Sequence, residues 1–242
     1  MNTTPVIDVT EIGKHFGNKT VLKNITMSVV QGEIFGLLGP SGAGKTTLVK
    51  MIAGIDTGDS GEVTVLNVTM PSFAVLNKTG FMSQSDALYG ELSALDNLEF
   101  FSSIYGLKKA KRKERIREVI NLVNLLDDLK KPVNQFSGGM KRRLSLAISL
   151  LHEPEILILD EPTVGIDPVL RQSIWDELRR LSQNGTTILV TTHVMDEAEK
   201  CDRLGMLRAG RLLAMGTPED LKTQTGARSL EGAFLQYGGA RK

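Results

Sequence analysis

Eight consecutive residues, Gly39-Pro40-Ser41-Gly42-Ala43-Gly44-Lys45-Thr46, limit the folds open to this chain more than any other segment, because they fit the pattern G-x-x-x-x-G-K-[ST]. An apolar run at 34–38, which reads as a buried strand, precedes them. A segment at 45–53 follows, in which Leu48, Met51 and Ile52 recur at helical spacing. Strand, glycine-rich loop and helix in that order make a phosphate cradle. Small residues let successive backbone N–H groups turn inward, and the helix start adds its positive dipole end. Lys45 is then placed to neutralise β- and γ-phosphate oxygens, Thr46 to ligate Mg2+, and Thr47 to join the nucleotide contacts. Taken alone, the loop leaves kinases, GTPases and many ATPases open.

The flanking rhythm is α/β. Strands are expected at 6–10, 20–30, 34–38, 61–67 and 79–82, with turns at Gly17-Asn18 and Gln31-Gly32. Helical periodicity takes over from about 95 to 129 and again from 138 to 151, which predicts an inserted helical lobe. Alternation then resumes with strand 156–160, helix 168–184, strand 186–191, a short helix near 195–200 and strands at 203–208 and 211–215. Helix 168–184 repeats Leu170, Ile174, Leu178 and Leu181 at the interval that faces a sheet.

Two further features belong beside the loop. Ile156-Leu157-Ile158-Leu159-Asp160-Glu161 is a buried-strand run ending in two carboxylates, and the carboxyl ends of strands in an open α/β sheet are where ligands sit. Asp160 is expected to hold Mg2+, and Glu161 to polarise a water that attacks the γ-phosphate. An Asp-Glu pair elsewhere would read as a helix start or turn; the aliphatic run and the upstream loop decide otherwise. The strand ending in Thr191-Thr192 delivers His193 to the same edge, where its imidazole can donate to the γ-phosphate.

Composition adds exclusions. A net charge of +1 with 24% charged residues argues neither for a nucleic-acid coat nor for an acidic tail, and the lone Cys201 cannot form an internal disulfide, which fits a reducing compartment. Residues 1–10 carry no secretory pattern, and no apolar run nears the length of a membrane span. Membrane contact is therefore expected only through other chains. One local charge cluster stands out: Lys109, Lys111, Arg112, Lys113, Arg115 and Arg117 crowd the first half of a helix expected over 109–126. That helix keeps Ile116, Val119, Ile120 and Val123 on one face, and the charge run reads first as a solvated face.

Phe136-Ser137-Gly138-Gly139-Met140-Lys141-Arg142-Arg143 resembles the signature segment of the ABC ATPases, usually written L-S-G-G-Q. Its physics stands independently, since a serine and two glycines opening a helix present N–H groups and a hydroxyl to an anion. Phe136 and Met140 depart from the common form, so a side-chain contact from the last position is not assumed, while Ser137, Gly138 and Gly139 are intact. The resemblance runs from Phe16 to about Leu221. It implies one ABC ATPase domain over 1–242, with a P-loop NTPase, RecA-like core and an N-terminal antiparallel β subdomain at 1–86 and 152–242. The inserted helical subdomain with the signature would span about 87–151.

The same resemblance implies that Phe16 stacks on adenine, although a core phenylalanine is the plain alternative. It implies that Gln84 touches Mg2+ and the attacking water, and that Gly165-Ile166-Asp167 crosses a dimer seam, although Asp167 before Pro168 is also an ordinary helix cap. The implied function is ATP hydrolysis by two copies, most simply a homodimer, in which Ser137, Gly138 and Gly139 act on the facing copy's ATP. Transmembrane subunits would dock near residues 84–98 at the cytoplasmic face of a bacterial membrane, with no nucleic acid involved. Within the family, residues 80–98, 136–143 and 161–168 look like the ABC-2 exporter branch, and the short apolar tail at 229–237 is expected to pack on the core. Two competitors remain. A soluble ABC ATPase acting on ribosomes or DNA would use the basic helix at 109–117, and a small-molecule kinase would leave the signature and His193 without a role.

Overall fold

The computed structural model describes residues 5–85 and 87–239. The expected lobe boundary at 86–87 falls partly outside them, and residues 1–4 of the start read for a secretory pattern lie outside them altogether. The chain opens with β1 (Pro5–Phe16) and β2 (Lys19–Val30), an antiparallel pair joined at Gly17-Asn18. The strand expected at 6–10 continues to Phe16 because a bulge between Val9 and Ile12 absorbs Glu11, whose φ is 51°, and pairing resumes at Ile12 opposite Ile25. β4 (Ser60–Val65) pairs with β1, and β5 (Val68–Thr69) folds back on β4, so this sheet runs β2-β1-β4-β5. The strand expected over 61–67 stops at Val65, since Leu66 and Asn67 both take positive φ in a two-residue hairpin turn.

A second sheet contains β3 (Ile34–Leu38), β6 (Thr79–Met82), β7 (Ile156–Asp160), β8 (Thr187–Thr192), β9 (Arg203–Arg208) and β10 (Arg211–Gly216) in the order β10-β9-β3-β8-β7-β6. All neighbours are parallel except β9 and β10. Both faces of the parallel part are covered, which explains the unbroken aliphatic runs. In β7, Ile156 and Ile158 enter a core shared with the first sheet and α1 (Lys45–Ile52), while Leu157 and Leu159 enter the core on the other face. Parallel strands bring Leu38, Met82, Asp160 and Thr192 to one edge of the sheet.

Among the described residues, three α-helices stand between β6 and β7: α2 (Ala94–Ile104), begun by a Ser93–Asp96 capping box, α3 (Lys109–Leu122) and α4 (Gly138–Ser149). α3 ends four residues earlier than its periodicity suggests, because Asn124 takes a left-handed φ of 51°, yet Val123 stays buried with Ile116, Val119 and Ile120. The basic run divides. Lys109, Lys113 and Arg117 are exposed as a solvated face requires. Arg115 instead donates to the carbonyls of Leu150 at 2.7 Å and Leu151 at 3.2 Å, and Arg112 donates to Leu107 O at 3.1 Å. Lys111 lies 3.1 Å from Glu153. Half of the run therefore staples α3 to its own surroundings and to the loop entering β7.

The last third supplies α5 (Pro168–Gln183), the single-turn α6 (Met195–Ala198), α7 (Pro218–Thr225) and α8 (Leu230–Tyr237). Apolar spacing does not announce α7, but Thr217-Pro218-Glu219-Asp220 is a helix start in plain view, with Pro at N1 and a capping box between Thr217 and Asp220. α8 lies against α6 and α7 with Leu230 and Ala233 buried, so the tail does pack on the core.

Candidate functional site

The glycine-rich loop leaves β3 and enters α1, wedged between β9 on one side and β2 on the other. A Cβ on Gly39 would lie 2.2 Å from the carbonyl oxygen of Leu207. One on Gly44, which caps α1 at φ 106°, would meet Leu22 at 2.7 Å and the Val21 carbonyl at 3.0 Å. Only glycine fits at either position. Pro40, Ser41 and Gly42 are exposed at the crown, Ala43 buries its methyl, and Thr46 and Thr47 are half-buried in the first turn of α1. Lys45 is 5% exposed and bends back over the loop, donating to Gly39 O at 2.7 Å and Pro40 O at 3.2 Å.

Lys45 Nζ also lies 3.4 Å from Glu161 Oε1, and that same oxygen is 3.1 Å from His193 Nδ1. Loop, acidic strand end and histidine thus meet at one carboxylate, although the loop lies more than a hundred positions before the other two in sequence. Asp160, the last residue of β7, is wholly buried; its Oδ1 accepts the Thr191 hydroxyl, while Oδ2 has no partner. Glu161 takes a left-handed φ of 53°, costly for a side chain of this size, and its N–H is held by Thr191 O at 3.2 Å and Thr191 Oγ1 at 3.0 Å. Thr191 therefore braces both acids. Sequence reasoning missed that role, although a threonine pair immediately before His193 at a strand end was a visible cue.

A second brace went unread. The buried carboxylate of Glu197 accepts the hydroxyls of Thr163 and Thr192, the latter at 2.7 Å, which ties the segment after Glu161 to the residue before His193. Gln84 lies two residues past β6 with its side chain exposed, and its carbonyl accepts from Arg142 at 2.9 Å. Phe16 is 53% exposed at the end of β1, with Lys14 Nζ 5.2 Å from the ring centroid, so the core-phenylalanine alternative falls away. β2 links Phe16 to the loop, since Val21 and Leu22 abut Gly44.

Ser137, Gly138 and Gly139 form the N-terminal end of α4, away from this corner in contact terms but tied to the loop after Glu161. Ser137 caps the helix by accepting from Met140 N at 3.2 Å, and Ser137 and Gly138 are exposed. A Cβ on Gly139 would lie 2.8 Å from Gly165 O, so the signature end and the 164–167 loop rest on one another. Both departures from the common signature have a packing reason: Phe136 is buried, and Met140 packs against the same core. Asp167 is exposed and caps α5 through Leu170 N at 3.0 Å, the plainer of its two expected roles. Val164 and Val169 beside it are exposed, Val169 at 80%.

A phosphate-binding loop, an acidic strand end and a histidine gathered at the carboxyl edge of a parallel sheet define a P-loop NTPase. The family pattern described as ABC transporter matches residues 22–164, and the chain belongs to that family, as an ATP-binding cassette. It is 41% identical over 228 residues to the linearmycin resistance ATP-binding protein LnrL of Bacillus subtilis, covering 93% of this chain and 73% of that protein. It is 42% identical over 238 residues to the "Probable multidrug ABC transporter ATP-binding protein YbhF" of Escherichia coli, where 96% of this chain spans only 41% of the relative's length. In structure it is similar, with a TM-score of 0.81 and 26% identity, to a dimeric ATP-binding cassette in a post-hydrolysis state bound to ADP and Pi. That likeness covers 87% of this chain and 98% of the other. Among the described residues, no helix is long and apolar enough to cross a membrane.

Proposed function

We propose that this chain is the ATP-hydrolysing subunit of a membrane transporter, acting as one of two head-to-tail copies that trap MgATP between the loop of one and the signature end of the other. The observation that carries this reading is the meeting of Lys45 and His193 on the single oxygen Glu161 Oε1, with the exposed Ser137 end turned to solvent. Exposed Val164 and Val169 beside Asp167 supply an apolar margin for the seam between copies. Within the chain, 1–86 and 152–242 would form the core with its β subdomain, and about 87–151 the lobe that carries the signature.

In this scheme the backbone N–H groups of residues 39–44 and the Lys45 ammonium grip the β- and γ-phosphates, and Phe16 stacks on the base. Lys45 exchanges its loop carbonyls and Glu161 for phosphate oxygens, which frees Glu161 to polarise a water for in-line attack while His193 holds the γ-phosphate. Ser137 and the helix start behind it, from the facing copy, stabilise the transferring group. A divalent cation fits the residues present: the buried Oδ2 of Asp160 lacks a protein partner, and Thr46 and Gln84 offer neutral oxygens from the two flanking segments. Among the described residues no cluster of three or more His, Cys, Asp or Glu gathers for a metal, so Mg2+ would lean on this one carboxylate and on the nucleotide. When bound, Mg2+ supplies charge neutralisation across the β- and γ-phosphates.

Membrane subunits would dock near residues 84–98 at the cytoplasmic face of a bacterial membrane, and the drug-resistance and multidrug names of LnrL and YbhF support export as the direction. The nucleic-acid reading loses ground, since three of the six basic side chains on α3 are engaged within the chain. The test is Glu161→Gln. It is expected to bind ATP as tightly as the parent, accumulate ATP-dependent dimers on size exclusion, and lose turnover by about 10²–10³-fold. Full turnover, or a strict monomer with ATP, overturns the reading.

A further inference from the structure

One buried arginine on the signature helix reaches the hydrolytic corner of its own chain. Arg142 lies one turn into α4 and is 6% exposed. Its Nη1 donates to Ser83 O and Gln84 O, both at 2.9 Å. On the other side, Nε donates to Glu161 O at 3.1 Å, and Nη2 to Glu161 O at 2.7 Å and to Asp160 O. A guanidinium is a rigid planar fork, so carbonyls gripped on its opposite sides are held at fixed separation. The peptide of Glu161 is thereby clamped from both ends: Thr191 takes its N–H and Arg142 its carbonyl. That is the support a residue at φ 53° requires, because left-handed backbone at a glutamate persists only where its surroundings enforce it.

We infer that Arg142 is a positioning residue with two linked tasks. It fixes the backbone that aims Glu161, and it couples Gln84 and Glu161 to the signature end of the same helix. The inference rests on the head-to-tail reading, in which that end serves the other copy's ATP. When a γ-phosphate shifts Gln84 or Glu161, the fork must carry α4 with them. Ser137, Gly138 and Gly139 then move relative to the second site. Information about one nucleotide thus reaches the other through a side chain that touches neither.

Arg142→Lys tests this, because lysine keeps the charge but cannot span two sets of carbonyls. Turnover against ATP concentration, affinity of the monomer for a fluorescent ATP analogue, and the melting temperature are measured on the full chain. The expected result is a melting temperature and monomer affinity close to those of the parent, a fall in kcat of about 10-fold or more, and a Hill coefficient dropping from near 2 toward 1. In the Glu161→Gln background, Arg142→Lys is expected to weaken ATP-driven dimerisation by about 10-fold. Unchanged kcat and Hill coefficient overturn the inference, and so does a loss of turnover that merely tracks lost affinity. If Arg142→Lys melts well below the parent, Arg142→Gln repeats the comparison, and collapse of both variants assigns the guanidinium to folding alone and ends the proposal. Should Glu161→Gln by itself fail to dimerise with ATP, the head-to-tail reading falls and takes this inference with it. Should Glu161→Gln dimerise and the double variant dimerise equally well, only the coupling fails.

Discussion

The two ends of the nucleotide machinery are built on opposite plans. At the carboxyl edge of the parallel sheet, Lys45, Asp160, Glu161, Thr191 and His193 hold one another in place, and the acids and the lysine are almost wholly shielded from solvent. At the start of α4, Ser137 and Gly138 are exposed, Ser137 is bonded to its own helix, and exposed Val164 and Val169 lie on the neighbouring loop and helix start. The first region is densely bonded but carries tension, in a buried carboxylate oxygen without a partner and a left-handed glutamate. The second caps its own helix and lies open to solvent. In the proposed head-to-tail scheme the first region would act within its own chain and the second on the facing copy.

The difference predicts that substitutions at the two ends change stability with opposite sign. Asp160→Asn has the largest expected effect. Turnover with Mg2+ should fall by about 10²–10³-fold, while the nucleotide-free melting temperature holds or rises, because a buried charge with an unsatisfied oxygen has been removed. A marked drop in melting temperature would show that the carboxylate serves the fold, and the contrast would break. Ser137→Ala comes next. It should cost about 1 kcal/mol of stability as a lost helix cap, a melting shift of about 2–4 °C, and reduce turnover about 10-fold. Affinity of the isolated monomer for ATP should not change, and strong loss there would place Ser137 at its own chain's nucleotide.

His152, at the joint between lobe and core, gives the smallest effect. It stacks on Tyr105 with ring centroids 3.8 Å apart, and its Nε2 lies 3.2 Å from Thr79 O. Burial holds its pKa below the usual 6.5, outweighing the pull of the Thr79 carbonyl in the other direction. A depressed histidine is neutral in the folded chain but protonates in the unfolded one. Stability from this group is therefore complete above about pH 6.5 and is lost as pH falls below it. His152→Phe keeps the ring stack, and urea denaturation of that variant between pH 7 and 5 should show a shallower loss than the parent. Identical slopes would remove His152 from the account.

What could be read from the sequence was whatever is written contiguously. The phosphate loop, the aliphatic run into Asp160-Glu161 and the Ser137-Gly138-Gly139 helix start are each local in sequence and carry their physics with them. The length of β1, the early end of α3 at Asn124 and the turn at Leu66-Asn67 depend on single residues entering left-handed backbone, which periodicity does not register. Arg142 and the inward half of the basic run were invisible for another reason. Arg142, Arg112 and Arg115 all reach main-chain carbonyls, those of Arg142 as far as 58 or 59 positions away, and a carbonyl leaves no trace in residue type. A charged side chain among other charged side chains looks solvated until the backbone it serves is in view.

The posture of Lys45 bears on how a nucleotide would arrive. The lysine ties the loop together by grasping the carbonyls of Gly39 and Pro40. In the proposed scheme, docking of a phosphate would be a change of partners for a resident cation rather than the ordering of a slack segment, so little disorder would be surrendered at the moment of capture. The lysine would serve as a brace before it serves as a ligand.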